Sequence, residues 1–297
     1  MRQFGRRNVG AVPNETGVAT GGPWGAIEPA PAVFGNQRQK GVADDIDFEI
    51  KGAELQFVEI ELDPDESCVA EAGALMFKHA LVEMRTIFGD GSGADRDGVL
   101  SKLTRGLKRA VSGSTLFLTK FTHSGFQGKA RVAFAAPSPG KIVPLRLDEF
   151  NGQILCQRDA FLAGARGVEI DIAFQQRIMA GMFGGEGFVL QRLSGDGWVF
   201  IHAGGTVEQY ELAPGEVLHV DAGCFVAQTA SVSFDIAPVG GGVKSWLFGG
   251  EGLFMARLTG PGHVWMQSLP LSRLAATIAA RMPSAAPSLS GSLLGSD

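Results

Sequence analysis

The chain contains the same phrase twice: FGGEGFVLQRLSGDGWVFIHA at residues 183–203 and FGGEGLFMARLTGPGHVWMQS at residues 248–268. The two stretches are identical at ten of 21 positions, including the FGGEG start and both glycines of the later Gly-x-Gly. A self-match of this length at a fixed spacing indicates a structural unit that is used more than once. The fold must therefore be interpreted from its repeats.

The repeat extends upstream of this phrase, and a third copy then becomes visible. ELDPDESCVAEAGALM, from Glu61, aligns with ELAPGEVLHVDAGCFV, from Glu211, and a weaker copy, LDEFNGQILCQRDAFLA, begins at Leu147. The matching downstream halves are SGSTLFLTKFT from Ser112, GGEGFVLQRLS from Gly184 and GGEGLFMARLT from Gly249. We expect three modules of the same structure.

The apolar runs in these modules favour strands over helices. They are short, rich in aromatic and aliphatic residues and bounded by glycine, which is the pattern of a β-sheet. Gly-Asp-Gly at 195–197 and Gly-Pro-Gly at 260–262 predict tight hairpin turns. We therefore expect an all-β protein in which three repeated strand-rich modules pack into one β-sandwich or barrel-like body, with one or two short helices.

The predicted organisation follows the repeats. Residues 1–44 form a Gly/Pro-rich arm that we expect to be disordered, and a short helix and mobile tail occupy 271–297. Repeat 1 spans 45–143 and carries an acidic insertion and a basic helix, repeat 2 spans 144–207, and repeat 3 spans 208–270. The helices are expected at Val99–Val111 and Leu271–Met282, where apolar residues recur with helical spacing.

Composition bounds the partners and the compartment. The formal net charge of -5 gives no overall attraction to phosphate backbones, so nucleic acid is not an expected partner. Cys68, Cys156 and Cys224 show neither metal-knuckle nor disulfide spacing, and we expect buried thiols.

Neither a secretion signal nor a membrane span is visible, which favours a cytoplasmic protein. The basic helix at Val99–Val111 either caps the sheet or lies on anionic lipid, a peripheral membrane contact.

Most motifs that suggest chemistry have a simpler explanation. FGGEG leads into a strand rather than a helix N-terminus, so its glycines are expected to serve bends rather than phosphate binding. The acidic stretch from Gly89 lacks two of the oxygen ligands that a calcium loop requires. No nucleophile motif is present, and no cofactor is expected.

Two weaker hypotheses concern repeated or clustered polar residues. Lys120, Arg192 and Arg257 fall at one position of the three repeats and could form a ligand-binding anion site, although ordinary surface pairing is favoured. His219 and Asp221 share one face of a predicted strand, and a distant His263 would complete a two-histidine, one-carboxylate iron site. The aligned residues of repeat 1, Val69 and Glu71, do not repeat that pattern.

Several phrases together resemble a known family. They are LSKLTRGLKRAVSGSTLFLTKF, GKIVPLRL, the two FGGEG phrases and VWMQSLPLSRLA, and they span about residues 45–280. The chain resembles the mitochondrial biogenesis (altered inheritance of mitochondria) family, as a bacterial-type uncharacterised member. The resemblance implies three repeats of an all-β fold similar to the tryptophan RNA-binding attenuation protein, no established catalytic activity, and a link to membrane organisation. The chain departs from the family pattern at Ser114, where a Glu is expected, and no RNA-binding motif is present to transfer.

The sequence thus favours a non-enzymatic binding or scaffold protein. The alternative from another class is an Fe(II)-dependent oxygenase of β-barrel type that uses His219, Asp221 and His263. Because exposed strand edges are covered, charged or paired with another chain, we also expect a homo-oligomer, most simply a trimeric ring. A protein partner or an anionic membrane surface is the other expected contact.

Overall fold

The computed structural model describes residues 43–88, 117–176, 187–238 and 254–282. The arm, the acidic insertion with its basic helix, both FGGEG phrases except Gly187, and the tail lie outside these residues. The described strands are β1 (Asp47–Lys51), β2 (Phe57–Leu62), β3 (Ser67–Glu71), β4 (Leu75–Lys78), β5 (Val82–Phe88), β6 (Phe117–His123), β7 (Ala130–Ala135), β8 (Gly140–Arg146), β9 (Gln153–Gln157), β10 (Phe161–Ala165), β11 (Glu169–Gln176), β12 (Phe188–Ser194), β13 (Trp198–Gly204), β14 (Val207–Leu212), β15 (Val217–Asp221), β16 (Phe225–Thr229), β17 (Ser233–Pro238), β18 (Phe254–Thr259) and β19 (Gly262–Gln267).

Three short 3₁₀ turns and one α-helix complete the described structure. The turns are Ala72–Ala74, Leu147–Phe150 and Arg158–Ala160, and the helix α1 is Leu271–Ala279. α1 lies within the range where the sequence predicts a helix. The prediction of an all-β protein is confirmed, and the described strands form four open sheets rather than a closed barrel.

Strand pairing divides the chain into three modules of six strands each: module 1 (β2–β7), module 2 (β8–β13) and module 3 (β14–β19). In each module the first, sixth and third strands pair in one group, and the second, fifth and fourth strands pair in another. All of these pairings are antiparallel. The predicted boundary between residues 143 and 144 falls inside β8.

Neighbouring modules are joined by strand pairing, which produces four sheets. Sheet A has the order β1-β2-β7-β4, and sheet B has the order β5-β6-β3-β10-β13-β8. Sheet C has the order β11-β12-β9-β16-β19-β14, and sheet D has the order β15-β18-β17. Sheets B and C thus each combine strands of two consecutive modules.

Three apolar cores separate the four sheets, one for each module. In β2, Val58, Ile60 and Leu62 face the core while Glu59 and Glu61 face away, the alternation of a strand with one buried face. β13 has no such alternation, because Val199 and Ile201 face the core of module 2 while Phe200 faces the core of module 1. A strand buried on both faces is apolar throughout.

The two predicted Gly-x-Gly hairpins are wrong. The turn at 195–197 leaves β12 of sheet C and enters β13 of sheet B, and the turn at 260–262 likewise joins β18 of sheet D to β19 of sheet C. The strands on either side of each turn therefore pair with other strands rather than with each other. Gly195 and Gly262 have φ values of 140° and 141°, which lets the chain leave the plane of one sheet for the next.

Candidate functional site: the unpaired ends of the module row

The junction between modules is one strand pair, and it occurs twice with the same geometry. At the first junction β3 pairs with β10, with Ala70 opposite Ala163 and Val69 opposite Gly164. At the second junction β9 pairs with β16 in the equivalent register. The second strand of each module thus pairs with the third strand of the next module.

A β-bulge marks the same position in the third strand of each module. The register against the sixth strand shifts between Leu75 and Phe77 in β4, between Phe161 and Ala163 in β10, and between Phe225 and Ala227 in β16. The bulged residues of the three modules are therefore Met76, Leu162 and Val226. A bulge at one place in all three modules makes these strands structurally equivalent.

Among the residues that the structure describes, the row of modules leaves one junction strand at each end without a strand on its outer side. β4 is the third strand of module 1 and forms an edge of sheet A, while β15 is the second strand of module 3 and forms an edge of sheet D. The strands equivalent to both, β10 and β16 on one side and β3 and β9 on the other, are interior strands. We call β4 and β15 the junction edges.

The side chains of the junction edges are exposed where their equivalents are buried. Met76 is 54% exposed and Phe77 37%, whereas their equivalents Leu162 and Ala163 are 2% and 0% exposed. Val217 in β15 is 40% exposed, and the residue at that position in β3, Ser67, is 0% exposed. Apolar surface thus remains on β4 where the repeat elsewhere buries it, and Val217 is more exposed than Ser67 and than Gln153, its half-buried equivalent in β9.

The turn that leads into the second strand of a module is built in the same way in modules 1 and 3. The Asp63 amide donates to Glu66 Oε2 at 2.9 Å, and the Ala213 amide donates to Glu216 Oε2 at 2.8 Å. Each Glu closes a turn whose second residue is proline. This local match supports the equivalence of β15 in module 3 and β3 in module 1.

A charged contact lies beside the first junction. Glu71 ends β3 next to the 3₁₀ turn of module 2, and burial followed by the nearby Asp159 carboxylate raises the pKa of Glu71 to about 7, against a smaller opposite effect of Arg158. At the corresponding end of β15, Asp221 pairs with Arg273 of α1 at 3.5 Å. The last residue of the second strand is thus acidic in modules 1 and 3: Glu71 in β3 and Asp221 in β15.

The outer face of sheet A is polar away from the β4 edge. Glu59 accepts ion pairs from Lys51 at 3.0 Å and from Arg131 at 3.4 Å, and Arg131 also pairs with Glu61 at 2.7 Å. These residues belong to β1, β2 and β7. Met76 and Phe77 therefore form an apolar patch at the junction edge of sheet A, beside an otherwise charged face.

The structure places the predicted cations at equivalent positions but on three sheets. Lys120 lies on β6 of sheet B, Arg192 on β12 of sheet C and Arg257 on β18 of sheet D, each in the fifth strand of its module. Opposite them across the sheet are Arg85, Asp171 and Asp235. The shared anion site stays a prediction.

The iron-site hypothesis receives no support from the geometry. His219 and Asp221 lie on β15 of sheet D, while His263 lies on β19 of sheet C. His263 Nδ1 is 3.3 Å from Gln209 Nε2, and its ring contacts those of Phe150 and Trp265. Within residues 43–88, 117–176, 187–238 and 254–282, no three His, Cys, Asp or Glu side chains are grouped to hold a metal ion.

Two other surfaces were candidates. An open depression of about 460 Å³ lies between the β14–β15 turn and the 260–262 turn, and Glu211 is the one ionisable residue among the described residues that line it. α1 exposes Leu271 and Ile278, each 54% exposed, on one side. Among the described helices none is long and apolar enough to cross a bilayer.

These features define a class: an all-β protein of three tandem modules joined through shared sheets. Residues 48–269 match the family described as mitochondrial biogenesis AIM24, and the chain belongs to that family. An uncharacterized protein of Streptococcus pyogenes serotype M6 is 28% identical over 252 residues, covering 84% of this chain and 96% of that protein. The X-ray structure of another Streptococcus pyogenes protein superposes with a TM-score of 0.63 at 25% identity, covering 80% of this chain and all of the other.

Sequence reasoning found the modules but missed the junction edges. The signal was present in the aligned phrases, because SCVAE, QILCQ and VLHVD occupy one position of the repeat. What the alignment lacked was the partner of each strand, since the pairing joins residues of different modules that are 71 to 97 positions apart. The residues at the edges, Met76 and Phe77, look like ordinary core residues in the sequence.

Proposed function

We propose that the protein is a non-enzymatic structural protein that assembles with copies of itself into a scaffold. The observation that carries this proposal is the pair of junction edges, β4 and β15, whose equivalents are paired at both internal junctions. An exposed edge with apolar side chains is a template for pairing with another chain. Self-assembly is the function for which these ends are suited.

The charge distribution supports the same proposal. The ion pairs of Glu59, Glu61 and Arg131 keep the rest of the outer face of sheet A polar, as in a terminal repeat that faces water. In a protein that remains monomeric, an exposed edge strand usually carries charged side chains, which prevent pairing with another chain. Met76 and Phe77 instead leave an apolar edge.

The experiment compares two edge variants of the full chain. Phe77→Glu places a charge on β4, and Tyr210→Glu places the same charge on β14, an edge strand that belongs to no junction. Tyr210 is a suitable control because it is also partly exposed, at 46%. We expect Phe77→Glu to lower the mass measured by light scattering while Tyr210→Glu leaves it unchanged. Equal effects of the two substitutions would contradict the proposal.

A further inference from the structure

We propose that β15 of one copy pairs antiparallel with β4 of the next copy, so that the assembly continues the row of modules from chain to chain. The inference rests on the proposed self-assembly and adds the identity of the two surfaces and their register. It makes the contact heterologous, because two different strands meet, and contacts of this kind close into a ring when the rotation allows. The occupant of each junction edge is therefore a second copy of this chain.

The internal junctions fix the register. In β3–β10, Val69 is opposite Gly164 and Ala70 is opposite Ala163. In β9–β16, Leu155 is opposite Gln228 and Cys156 is opposite Ala227. Counting from the bulges, the same alignment places Lys78 opposite His219 and Phe77 opposite Val220 of the neighbouring copy.

The alternation of side chains makes this register specific. Because side chains alternate between the two faces of a strand, a slip by one residue would turn every side chain to the wrong face. In the inferred register Met76 takes the place of Leu162 and Val226, which are 2% and 1% exposed within the internal cores. Met76 would thus be buried against module 3 of the neighbouring copy.

The faces that would meet are compatible in size and charge. Phe77 is larger than its equivalents Ala163 and Ala227, and it can cover Leu218 of β15, which is only partly buried. In the inferred register Lys78 lies opposite His219, and Asp221 lies on the same face of β15 two residues further along. The Asp221 carboxylate therefore offsets the positive charge of Lys78. α1 pairs with Asp221 through Arg273 and is not part of sheet D.

Disulfide cross-linking tests the register. Residues directly opposite each other in an antiparallel ladder have Cα atoms about 4.5–5.5 Å apart, within the range of a disulfide. A displacement by two residues adds about 7 Å along the strand and takes the pair out of that range. In a Cys224→Ser background, the in-register variant is Lys78→Cys/His219→Cys and the shifted control is Lys78→Cys/Val217→Cys.

Each chain carries one introduced cysteine at each junction edge, and the remaining Cys68 and Cys156 are buried. A repeated contact therefore links copies into covalent multimers. We expect multimers on a non-reducing gel for the in-register variant and at least fivefold less for the shifted control. Leu155→Cys/Gln228→Cys, at the internal junction β9–β16, should oxidise within one chain and shows that the geometry permits the bond. A link within one chain for Lys78→Cys/His219→Cys, or equal yields from both variants, would overturn the inference.

Light scattering of the same variants separates this inference from the function on which it rests. A multimeric mass without in-register cross-links means that the chains assemble through another surface, and the β15–β4 pairing is then wrong. A mass of 31.3 kDa for every variant and for the unmodified chain means that the proposed self-assembly itself is wrong. Removal of residues 1–42 should leave the yield of cross-linked multimers unchanged. A gain of multimers on removal would identify the arm as the natural occupant of a junction edge and would overturn the inference.

Discussion

Met76 in β4 occupies the same bulge position as Leu162 in β10, yet Met76 is 54% exposed and Leu162 2%. The local backbone is equivalent, so the difference lies in what each strand faces. β10 has β3 beside it, whereas β4 has no strand on its outer edge among the described residues. The same residue position therefore belongs to a core in one module and to a surface in another.

This relationship predicts that two similar truncations affect different properties of the protein: Leu162→Ala its stability, and Met76→Ala its association. Leu162→Ala should lower the free energy of unfolding by about 2–5 kcal/mol, because it leaves a cavity in a packed core. Met76→Ala should change the stability of the dissociated chain by less than about 1 kcal/mol and should weaken association instead. Denaturant titration at low protein concentration measures the first quantity, and the concentration dependence of the mass measures the second. A large loss of stability from Met76→Ala in the dissociated chain would show that its side chain is already buried.

Glu71 predicts a pH dependence of stability. Burial, followed by the Asp159 carboxylate, raises the pKa of Glu71 to about 7 in the folded protein from an ordinary 4.5. The folded state therefore binds the proton more tightly than the unfolded chain. The associated stabilisation is present below pH 4.5 and is lost as the pH rises through about 7.

Glu71→Gln removes this titration, because glutamine resembles the protonated acid. We expect it to raise the free energy of unfolding by about 1–3 kcal/mol above pH 7 and to have little effect near pH 4.5. Glu208→Gln, at an exposed position of β14, serves as the control and should show no such difference. A uniform effect of Glu71→Gln across this pH range would show that its carboxyl is not the titrating group.

Gln191 predicts a stabilising substitution in the core of module 2. It is 0% exposed, and neither its amide nitrogen nor its amide oxygen has a hydrogen-bond partner among the described residues. Replacing an unpaired buried amide with an apolar group of similar shape removes a cost of about 1–3 kcal/mol, so Gln191→Met should raise the free energy of unfolding.

Gln228 supplies the matched comparison. It is equally buried, and its Oε1 also lacks a partner among the described residues, but its Nε2 donates to the Val232 carbonyl at 2.7 Å. Gln228→Met should therefore destabilise the protein, because it leaves that carbonyl unpaired. Thermal unfolding of both variants distinguishes the two environments, and a loss of stability from Gln191→Met as large as that from Gln228→Met would contradict the assignment.

The cysteines predict a simple labelling pattern. Cys68 and Cys156 are 0% exposed, and burial raises the pKa of both thiols. Burial, followed by the Asp221 carboxylate, also raises the pKa of Cys224 against the opposite effect of Arg273, but this thiol is only half-buried and is accessible to a reagent. Because the thiolate is the reactive form, a thiol reagent at pH 8 should modify Cys224 in the native protein and all three cysteines after denaturation. Rapid native modification of Cys68 or Cys156 would show that the cores open.

The repeat and the strands could be predicted because both are local properties of the sequence. SCVAE, QILCQ and VLHVD align by composition and by the turns before them, and β2 shows the alternation of a half-buried strand. The pairing between modules could not be predicted, because register between distant strands depends on three-dimensional packing. The Gly-x-Gly turns show the same limit: glycine indicates that the chain turns at Gly195, but not that it turns into a different sheet.

Candidate site residues follow the same distinction. The alignment correctly placed Lys120, Arg192 and Arg257 at equivalent positions, since each lies in the fifth strand of its module. It could not show that these strands belong to three sheets. The spacing between His219 and Asp221 suggests metal chemistry. The sequence does not show that His219 lies on an edge strand, because that depends on how β15 pairs within sheet D.

The central claim is that the chain is an open row of modules that assembles through its ends, and size exclusion coupled to light scattering tests it most directly. The full chain, measured at low micromolar concentration and over a tenfold dilution, should give one mass that is an integer multiple of 31.3 kDa, and about 94 kDa for the expected trimer. A mass that stays at 31.3 kDa throughout the dilution series would contradict the account.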